Sequence, residues 1–363
     1  MNWEHLAPVR VVRGKIPSMR RTALQAAWSF VMIATGMFGS GRDALGATGE
    51  EHMLMLHNGG MVCGIMPQIG GRVVVFRTKT GANVLDGRPE LWNDPPRPDL
   101  LATNFKQYYG ESVWAGPQAV WWTADEPYPP NIEYKGPWPP DPAWEFAPFT
   151  IVEQTPTRVI LRSPISKLTG LELTKTIELS ANGQLTLQVK AVNRSDRLVT
   201  RDLWLLHRVS PTARTFLPLK SETTDKGFSE AVSIQKMNGL TVLELLPHEK
   251  SSATISGGKM LAVAENGWMA TAVPEGFFTV RFQPTEAYKT APGQAPVEIF
   301  FSSAPQPLCE MEHHGELTTL KPGETMETKE TWQIIPYSGA PDAEAQSRFL
   351  QATEQASLTL HVQ

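Results

Sequence analysis

The stretch Leu171–Val192, LELTKTIELSANGQLTLQVKAV, decides the class of fold. It contains two runs in which apolar and polar residues alternate, separated by Ala181-Asn182-Gly183. A period of two is typical of a strand with one buried face, and Asn and Gly favour the turn that joins antiparallel strands. The stretch therefore predicts two antiparallel strands that contribute one face to a core.

Short runs of the same kind recur from His52 onward, with Asn, Gly and Pro turns between them. They include HMLMLH (52–57), MVCGIM (61–66), GRVVVFRT (71–78), RVILRS (158–163), DLWLLHRV (202–209), FFTVRFQ (277–283), VEIFFS (297–302) and ETKETWQII (327–335). Helical periodicity is confined to the N-terminal region and to a weak stripe over 342–356. This pattern predicts an all-β antiparallel sandwich over residues 48–338, followed by a tail, 339–363, with at most a short helix.

Residues 1–47 are expected to be an N-terminal extension and signal peptide. Arg20 and Arg21 precede an apolar run, and the small residues Ala44–Ala47 offer a cleavage site. Met19 is an alternative start, because it places the positive charges at the N-terminus. An uncleaved anchor is the other interpretation, but three glycines weaken the run as a spanning helix of about 20 residues. We therefore expect a periplasmic or secreted protein without a stable membrane span.

Composition excludes several classes of function. The formal net charge is −4 and no run of Lys and Arg is present, so no nucleic-acid partner is expected. No Gly-rich phosphate loop occurs, and no cofactor is expected. Cys63 and Cys309 form either a disulfide or two buried thiols, and buried thiols are favoured. No Cys/His spacing suggests zinc.

The densest cluster of polar residues is CEMEHHG at 309–315. Alternation along a strand places Glu310, Glu312 and His314 on one face, and the intervening residues on the other. A metal site is not expected, because alternate residues lie about 7 Å apart along a strand. His313 and His314 are expected to face solvent at a strand end.

The sequence LKPGE that follows predicts a type II turn, with Pro322 at its second position and Gly323 at its third. This turn suggests that CEMEHH and TMETKETWQII are neighbouring strands.

Four further features stand in order along the chain: MPQIGGRVVVFRTKTGANVLDG (66–87), GESVWAGPQ (110–118), the turn Asn193–Asp196 followed by LWLLH, and CEME with LKPGE. Together they resemble the galactose mutarotase-like superfamily. They occur in the order found in an uncharacterised bacterial branch and span roughly residues 52 to 335. The resemblance implies a β-supersandwich of two large antiparallel sheets, with a sugar-binding cleft on one of them.

The resemblance also implies a catalytic pair. In the mutarotases a His protonates the ring oxygen of the sugar while a Glu removes the anomeric hydroxyl proton. Here His207 stands in the place of the acid, and Glu312 or Glu310 in the place of the base. The chain departs from the pattern, because Arg208 and Val209 follow His207 where an aromatic residue is usual. No His lies between His57 and His207, so half of the usual sugar clamp is missing.

A segment rich in Trp and Pro, from Pro89 to Pro148, is either a rigid cover over a sheet edge or a wall of the cleft. As substrate contacts we expect Arg72, Trp114, Gln118, Trp121, Trp122 and Trp204. The sequence thus favours an exported carbohydrate-binding or carbohydrate-processing protein. An aldose 1-epimerase that uses His207 and Glu312 is one alternative, and a non-enzymatic envelope scaffold is another.

Overall fold

The computed structural model describes residues 52–93, 107–122, 139–246, 257–302 and 307–360, the side chains up to residue 356. The expected signal peptide lies outside the described residues. The strands are β1 (Leu54–Asn58), β2 (Met61–Met66), β3 (Arg72–Thr78), β4 (Glu111–Gly116), β5 (Thr150–Gln154), β6 (Arg158–Arg162), β7 (Leu171–Leu179), β8 (Leu185–Asn193), β9 (Val199–Val209), β10 (Thr215–Leu217), β11 (Leu219–Thr224), β12 (Val232–Met237), β13 (Leu240–Leu245), β14 (Gly257–Ala264), β15 (Trp268–Val273), β16 (Gly276–Phe282), β17 (Val297–Ser302), β18 (Leu308–His314), β19 (Thr318–Leu320) and β20 (Thr325–Pro336). The helices are α1 (Pro89–Trp92), α2 (Pro142–Glu145), α3 (Lys226–Ala231) and α4 (Ala343–Leu360).

Within the described ranges the strands form three antiparallel sheets. The small sheet has the order β1-β2-β3, and the largest has the order β12-β13-β10-β15-β16-β20-β8-β7-β6-β5. A seven-stranded sheet has the order β11-β14-β17-β18-β9-β19, with β4 also paired to β9. The prediction of an all-β antiparallel sandwich is confirmed.

The hairpin predicted for residues 171–192 is formed by β7 and β8. Leu171 lies opposite Asn193 and Leu179 opposite Leu185, and Gly183 in the turn has a φ of +81°. Buried residues alternate with half-buried ones along both strands, as the period of two requires. The apolar face of the hairpin lies in the main core.

The seven-stranded and ten-stranded sheets pack face to face. Cys309 and Met311 of β18 lie in the same core as Trp332 of β20 and Phe278 of β16. The ring of Trp332 lies 5.7 Å from that of Phe278 and meets it edge to face. The opposite face of β18 carries Glu310, Glu312 and His314, as the alternation of residues along the strand predicted.

Two local expectations about this region are wrong. His313 and His314 are each about 1% exposed, because His313 contacts Glu330 of the ten-stranded sheet and the ring of His314 packs against that of Trp204, with centroids 4.7 Å apart. In addition, β18 pairs with β17 and β9 whereas β20 pairs with β16 and β8, so these strands lie in different sheets. The short strand β19 intervenes and carries the chain across. The turn itself is as predicted, since Gly323 has a φ of +81° and Glu324 N donates to Lys321 O at 3.0 Å.

Helix α4 is longer than the short helix expected in the tail. Its Phe349 stacks on Phe277 of the ten-stranded sheet with ring centroids 5.8 Å apart, and Leu350 joins the same apolar cluster. Among the described residues no helix has both the length and the apolar character needed to cross a bilayer.

The two cysteines are free and buried, as favoured by their apolar surroundings in the sequence. Burial raises the pKa of both thiols, so they remain protonated and act as small apolar side chains.

Candidate functional site

A cleft of about 240 Å³ lies on the face of the seven-stranded sheet that points away from the ten-stranded sheet. Its lining combines aromatic side chains with three basic and three acidic ones: Arg72, Gln107, Tyr108, Tyr109, Trp114, Gln118, Glu145, Trp204, Arg208, Lys259, Phe300, Leu308, Glu310 and Glu312. Strands β4, β9, β18, β17 and β14 supply the floor, and β3, the segment 107–109 and α2 supply a wall. A cleft lined by aromatic side chains, with convergent polar groups among them, is the usual form of a small-molecule site.

The wall is held by a buried ion pair. Arg72 Nη2 lies 2.7 Å from Glu145 Oε1, and the two side chains are 1% and 2% exposed. The remaining donors of Arg72 bond to backbone carbonyls, including Tyr109 O at 3.0 Å. Burial by itself raises the pKa of Glu145, but Arg72 and Arg208 hold it below its usual value. Arg72 therefore fixes the wall, and its guanidinium is already committed to protein partners.

Arg208 and Glu310 form the second pair, on neighbouring strands. The residues are register partners between β9 and β18, and Arg208 Nε donates to Glu310 Oε1 at 2.7 Å. Arg208 Nη1 also donates to Ser112 Oγ, and its guanidinium lies 5.3 Å from the ring centroid of Trp114. The stacked ring and the two hydrogen bonds fix the orientation of the guanidinium in the cleft.

Lys259 forms the third pair and reaches over the floor from β14. Its ammonium contacts Glu298, lies 3.4 Å from Glu312 Oε2 and sits 4.8 Å from the ring centroid of Trp204. Trp204 Nε1 donates to the same Glu312 Oε2 at 2.8 Å. Burial alone lowers the pKa of Lys259, but Glu312 and Glu298 outweigh that effect and raise the pKa above its usual value. The ammonium group therefore stays charged.

Glu312 has an unusual environment for a carboxylate. Burial and the neighbouring Glu310 and Glu298 raise its pKa to about 7, against the opposing effect of Lys259. The carboxyl group therefore lies near the point of half-protonation at neutral pH, and its Oε1 is buried without a hydrogen-bond partner among the described residues.

A histidine lies below this floor. His314 Nε2 is 3.4 Å from Glu298 Oε1, and His314 Nδ1 is 3.5 Å from Asp202 Oδ2. Burial lowers the pKa of His314, but Asp202 and Glu298 raise it to about 9. Burial likewise raises the pKa of Glu298, and His314 and Lys259 lower it to about 2.

The structure does not bring His207 to the cleft. His207 is the register partner of Met311, so it lies on the face of the sheet opposite to Glu310 and Glu312. Its side chain is fully buried, and its Nε2 lies 2.8 Å from Glu330 Oε1 of the ten-stranded sheet. The predicted pairing of His207 with Glu312 is therefore corrected, because the sheet separates the two side chains. Glu312 and Glu310 do lie in the cleft.

Four of the six predicted substrate contacts line the cleft, and two do not. Arg72, Trp114, Gln118 and Trp204 line the cleft. Trp121 and Trp122 lie outside the lining and pack in an apolar cluster with Trp114 and Trp204. Trp121 Nε1 donates to Ala115 O at 2.7 Å, which anchors the cluster to β4. The two tryptophans thus support the cleft from behind.

Sequence reasoning missed Lys259, Glu145, Tyr108 and Tyr109. A lone lysine within the alternating run GGKMLAVA was the available signal for Lys259. For Glu145 the signal was Asp141-Pro142, a typical helix start, because Asp141 caps α2 by accepting from Ala143 N at 2.9 Å. The described part of the Trp/Pro segment therefore contributes a wall of the cleft.

Similarity to solved structures agrees with this fold. The Slr1438 protein of Synechocystis sp. PCC 6803 is 13% identical, with a TM-score of 0.52 over 78% of this chain and 96% of that one. A Klebsiella pneumoniae protein assigned as an aldose 1-epimerase is 11% identical, with a TM-score of 0.52 over 83% of this chain and 82% of that one. At such identity the likeness establishes the galactose mutarotase-like fold and leaves activity open.

Family membership follows from the sequence itself. A comparison with curated proteins finds no significant match. A family model described as Domain of unknown function (DUF4380) matches residues 52–335, the range that contains both large sheets and every residue of the cleft. The chain therefore belongs to the DUF4380 family.

Proposed function

We propose that the protein binds a neutral carbohydrate in the cleft. The observation that carries the proposal is the balance of charge in the lining. Three basic side chains face three acidic ones, and each is paired: Arg72 with Glu145, Arg208 with Glu310, and Lys259 with Glu312. The lining therefore offers fixed donors and acceptors without surplus charge.

A sugar ring matches this arrangement because each hydroxyl both donates and accepts a hydrogen bond. Carboxylates such as Glu310 accept from hydroxyls, and Arg208 and Lys259 donate to them. A sugar phosphate would need surplus positive charge to neutralise it, which the pairing removes. The chemistry thus favours a neutral sugar over a phosphorylated one.

The size and apolar surface of the cleft fit the same ligand. Its 240 Å³ lies below the range of about 300–1,000 Å³ typical of drug-sized ligands, which suits a ligand about the size of one sugar ring. Phe300, Leu308 and Tyr109 supply apolar surface for the C–H face of a ring. Export of the protein is part of the proposal and is supported by the N-terminal sequence.

An aldose 1-epimerase is the second candidate, and the position of Glu312 favours it. Glu312 lines the cleft, and its pKa is raised to about 7, which suits a proton acceptor near neutral pH. His207 does not supply the acid, so Arg208 and Lys259 are the cleft's donors toward a ring oxygen. Binding without catalysis requires neither a proton acceptor nor a donor toward the ring oxygen, and we therefore propose it ahead of epimerase activity.

Binding is tested with the purified full chain on a glycan array, followed by calorimetry with the sugars retained. Glu310→Gln removes an acceptor from the cleft, and it should weaken binding. Glu178→Gln, on the exposed face of β7, is the matched control and should leave binding unchanged. Retention of no neutral sugar, or equal affinity in both variants, would contradict the proposal and favour the scaffold alternative.

Catalysis is tested by following the optical rotation of freshly dissolved α-anomers. An epimerase would accelerate the change with the wild-type chain and lose that acceleration in Glu312→Gln. Uncatalysed rates for the sugars that bind would leave carbohydrate binding intact and remove the epimerase candidate.

A further inference from the structure

We propose that Glu298, Glu312 and His314 form a binding site for one divalent first-row transition ion below the floor of the cleft. Each residue offers one ligand atom, and these atoms all lie within 4.8 Å of one another. The proposal stands independently of carbohydrate binding, since it rests on a cluster of ligands and on no feature of the sugar.

The antiparallel register brings the ligands together. Glu298 of β17 lies directly opposite Glu312 of β18, and His314 is two residues further on the same face of β18. His314 Nε2 lies 3.4 Å from Glu298 Oε1. Two ligands bound to one ion at about 2.1 Å in tetrahedral geometry are separated by about 3.4 Å, so this pair already has the required spacing. Alternate residues of one strand are too far apart to hold an ion by themselves, and Glu298 of the neighbouring strand supplies the additional ligand.

The second, independent observation is a set of buried polar atoms without hydrogen-bond partners among the described residues. They are Glu312 Oε1, both ring nitrogens of His314 and both carboxylate oxygens of Asp202. Each of the three residues is at most 1% exposed. Unpaired buried polar atoms are rare because each one loses the hydrogen bonds that it makes with water in the unfolded chain. A bound cation would satisfy the ligand atoms together.

The two ring nitrogens of His314 lie at ion-pair distances from carboxylate oxygens, without hydrogen-bond geometry. Its Nδ1 lies 3.5 Å from Asp202 Oδ2. In metal sites the ring nitrogen that does not bind the ion commonly bonds to a carboxylate, which fixes the tautomer. Asp202 is placed for that role on the Nδ1 side, which leaves Nε2 for the ion on the side of Glu298.

The Oε2 atoms of Glu298 and Glu312 already have hydrogen-bond partners in the protein. Lys259 Nζ contacts Glu298 Oε2 and lies 3.4 Å from Glu312 Oε2, and Trp204 Nε1 donates to Glu312 Oε2. These contacts orient the carboxylates and leave Glu312 Oε1 without a partner. Lys259 also places a positive charge beside the site, so its removal should strengthen the binding of a cation.

The donor set selects the class of ion. Two carboxylate oxygens and one imidazole nitrogen suit Zn²⁺, Mn²⁺ and related ions, whereas Ca²⁺ and Mg²⁺ prefer oxygen ligands alone. An ion at this position takes up Glu312 Oε1, so metal binding and a proton-acceptor role for that oxygen exclude each other.

The test uses the full chain, stripped with a chelator and titrated with Mn²⁺. Calorimetry should give one ion per chain, and pulsed electron paramagnetic resonance should show coupling to an imidazole nitrogen. Glu298→Gln and His314→Gln should each weaken binding by at least about tenfold, and the nitrogen coupling should disappear in His314→Gln. Lys259→Met should bind Mn²⁺ more tightly. Glu178→Gln, on the exposed face of β7 and outside the cluster, is the control and should bind as the wild type does.

Circular dichroism and the urea midpoint of each variant separate loss of a ligand from loss of the fold. Absence of stoichiometric binding to the folded wild type would overturn the assignment. So would unchanged affinity in folded Glu298→Gln or His314→Gln, or a nitrogen coupling that survives in His314→Gln.

Discussion

Glu330 Oε1 lies 2.8 Å from His207 Nε2, and Glu330 Oε2 lies 2.7 Å from His313 Nε2. One carboxylate of the ten-stranded sheet thus joins two histidines of the seven-stranded sheet, and all three side chains are at most 1% exposed. Trp332 Nε1 donates to Oε1 as well, at 2.7 Å. Burial raises the pKa of Glu330, but His207 and His313 lower it to about 2, so it remains charged. This cluster ties the two sheets together behind the cleft.

Glu330→Gln should destabilise the fold. The change removes a buried charge that accepts from three side chains, and breaking a buried pair typically costs about 3–5 kcal/mol. Urea unfolding should show a lower midpoint with an unchanged slope. Glu178→Gln, on the exposed face of β7, is the control and should change the free energy of unfolding by less than about 0.5 kcal/mol. Equal midpoints for the two variants would rule out a stabilising role for the cluster.

The same carboxylate predicts how stability depends on pH. Its pKa is about 2 in the folded chain against 4.5 ordinarily, so the folded state favours the charged form. Its contribution is therefore complete above pH 4.5 and is lost as the pH falls toward 2. The side chains that face the Glu330 carboxylate are His207, His313 and Trp332. None of them is a carboxyl group that titrates in the same pH range. The free energy of unfolding should fall less steeply below pH 4.5 in Glu330→Gln, and identical slopes would contradict the linkage.

The fold was largely predictable from the sequence, whereas the site was predictable only in part. Alternation along one strand is local, so the faces of Glu310, Glu312 and Met311 followed from the sequence. The face of His207 relative to them depends on the register between β9 and β18, and a shift of one residue reverses every side chain. No local pattern sets that register, and the family resemblance placed His207 on the wrong face. Lys259 is remote in sequence and reaches the cleft only through the pairing of β14 with β17.

A second buried pair should show strong coupling between its members. Lys175 Nζ of β7 donates to Glu111 Oε2 of β4 at 2.9 Å, and both side chains are fully buried. Lys175→Met alone should cost about 3–5 kcal/mol, because it leaves the buried Glu111 side chain without its ion-pair partner. Glu111→Gln in the same chain should recover part of that loss, since the amide is neutral and its oxygen still accepts from Val73 N. A double-mutant cycle from urea unfolding measures the coupling, and additive single effects would contradict it.

Gly70 should tolerate substitution less well than Gly60, although both have positive φ angles of +67° and +76°. A Cβ at Gly70 would lie 2.5 Å from the carbonyl oxygens of Trp144 and Glu145, whereas at Gly60 nothing lies within 4 Å. Gly60→Ala should cost about 1–2 kcal/mol for the left-handed backbone. Gly70→Ala should cost about 1–3 kcal/mol more for the clash with α2. Thermal unfolding compares them, and equal losses would show that the clash is relieved without cost.

Arg208→Lys should weaken carbohydrate binding while leaving the fold largely intact. Lysine keeps the charge near Glu310 but lacks the planar group that stacks over Trp114 and donates to Ser112 at the same time. The orientation of the donors toward a sugar is then lost, and we expect affinity to fall about tenfold, the equivalent of about one hydrogen bond. Calorimetry with the sugar selected on the array measures the change. Arg158→Lys, at the partly exposed β6, is the matched control, and an equal affinity in both variants would show that Arg208 serves the sheet and not the ligand.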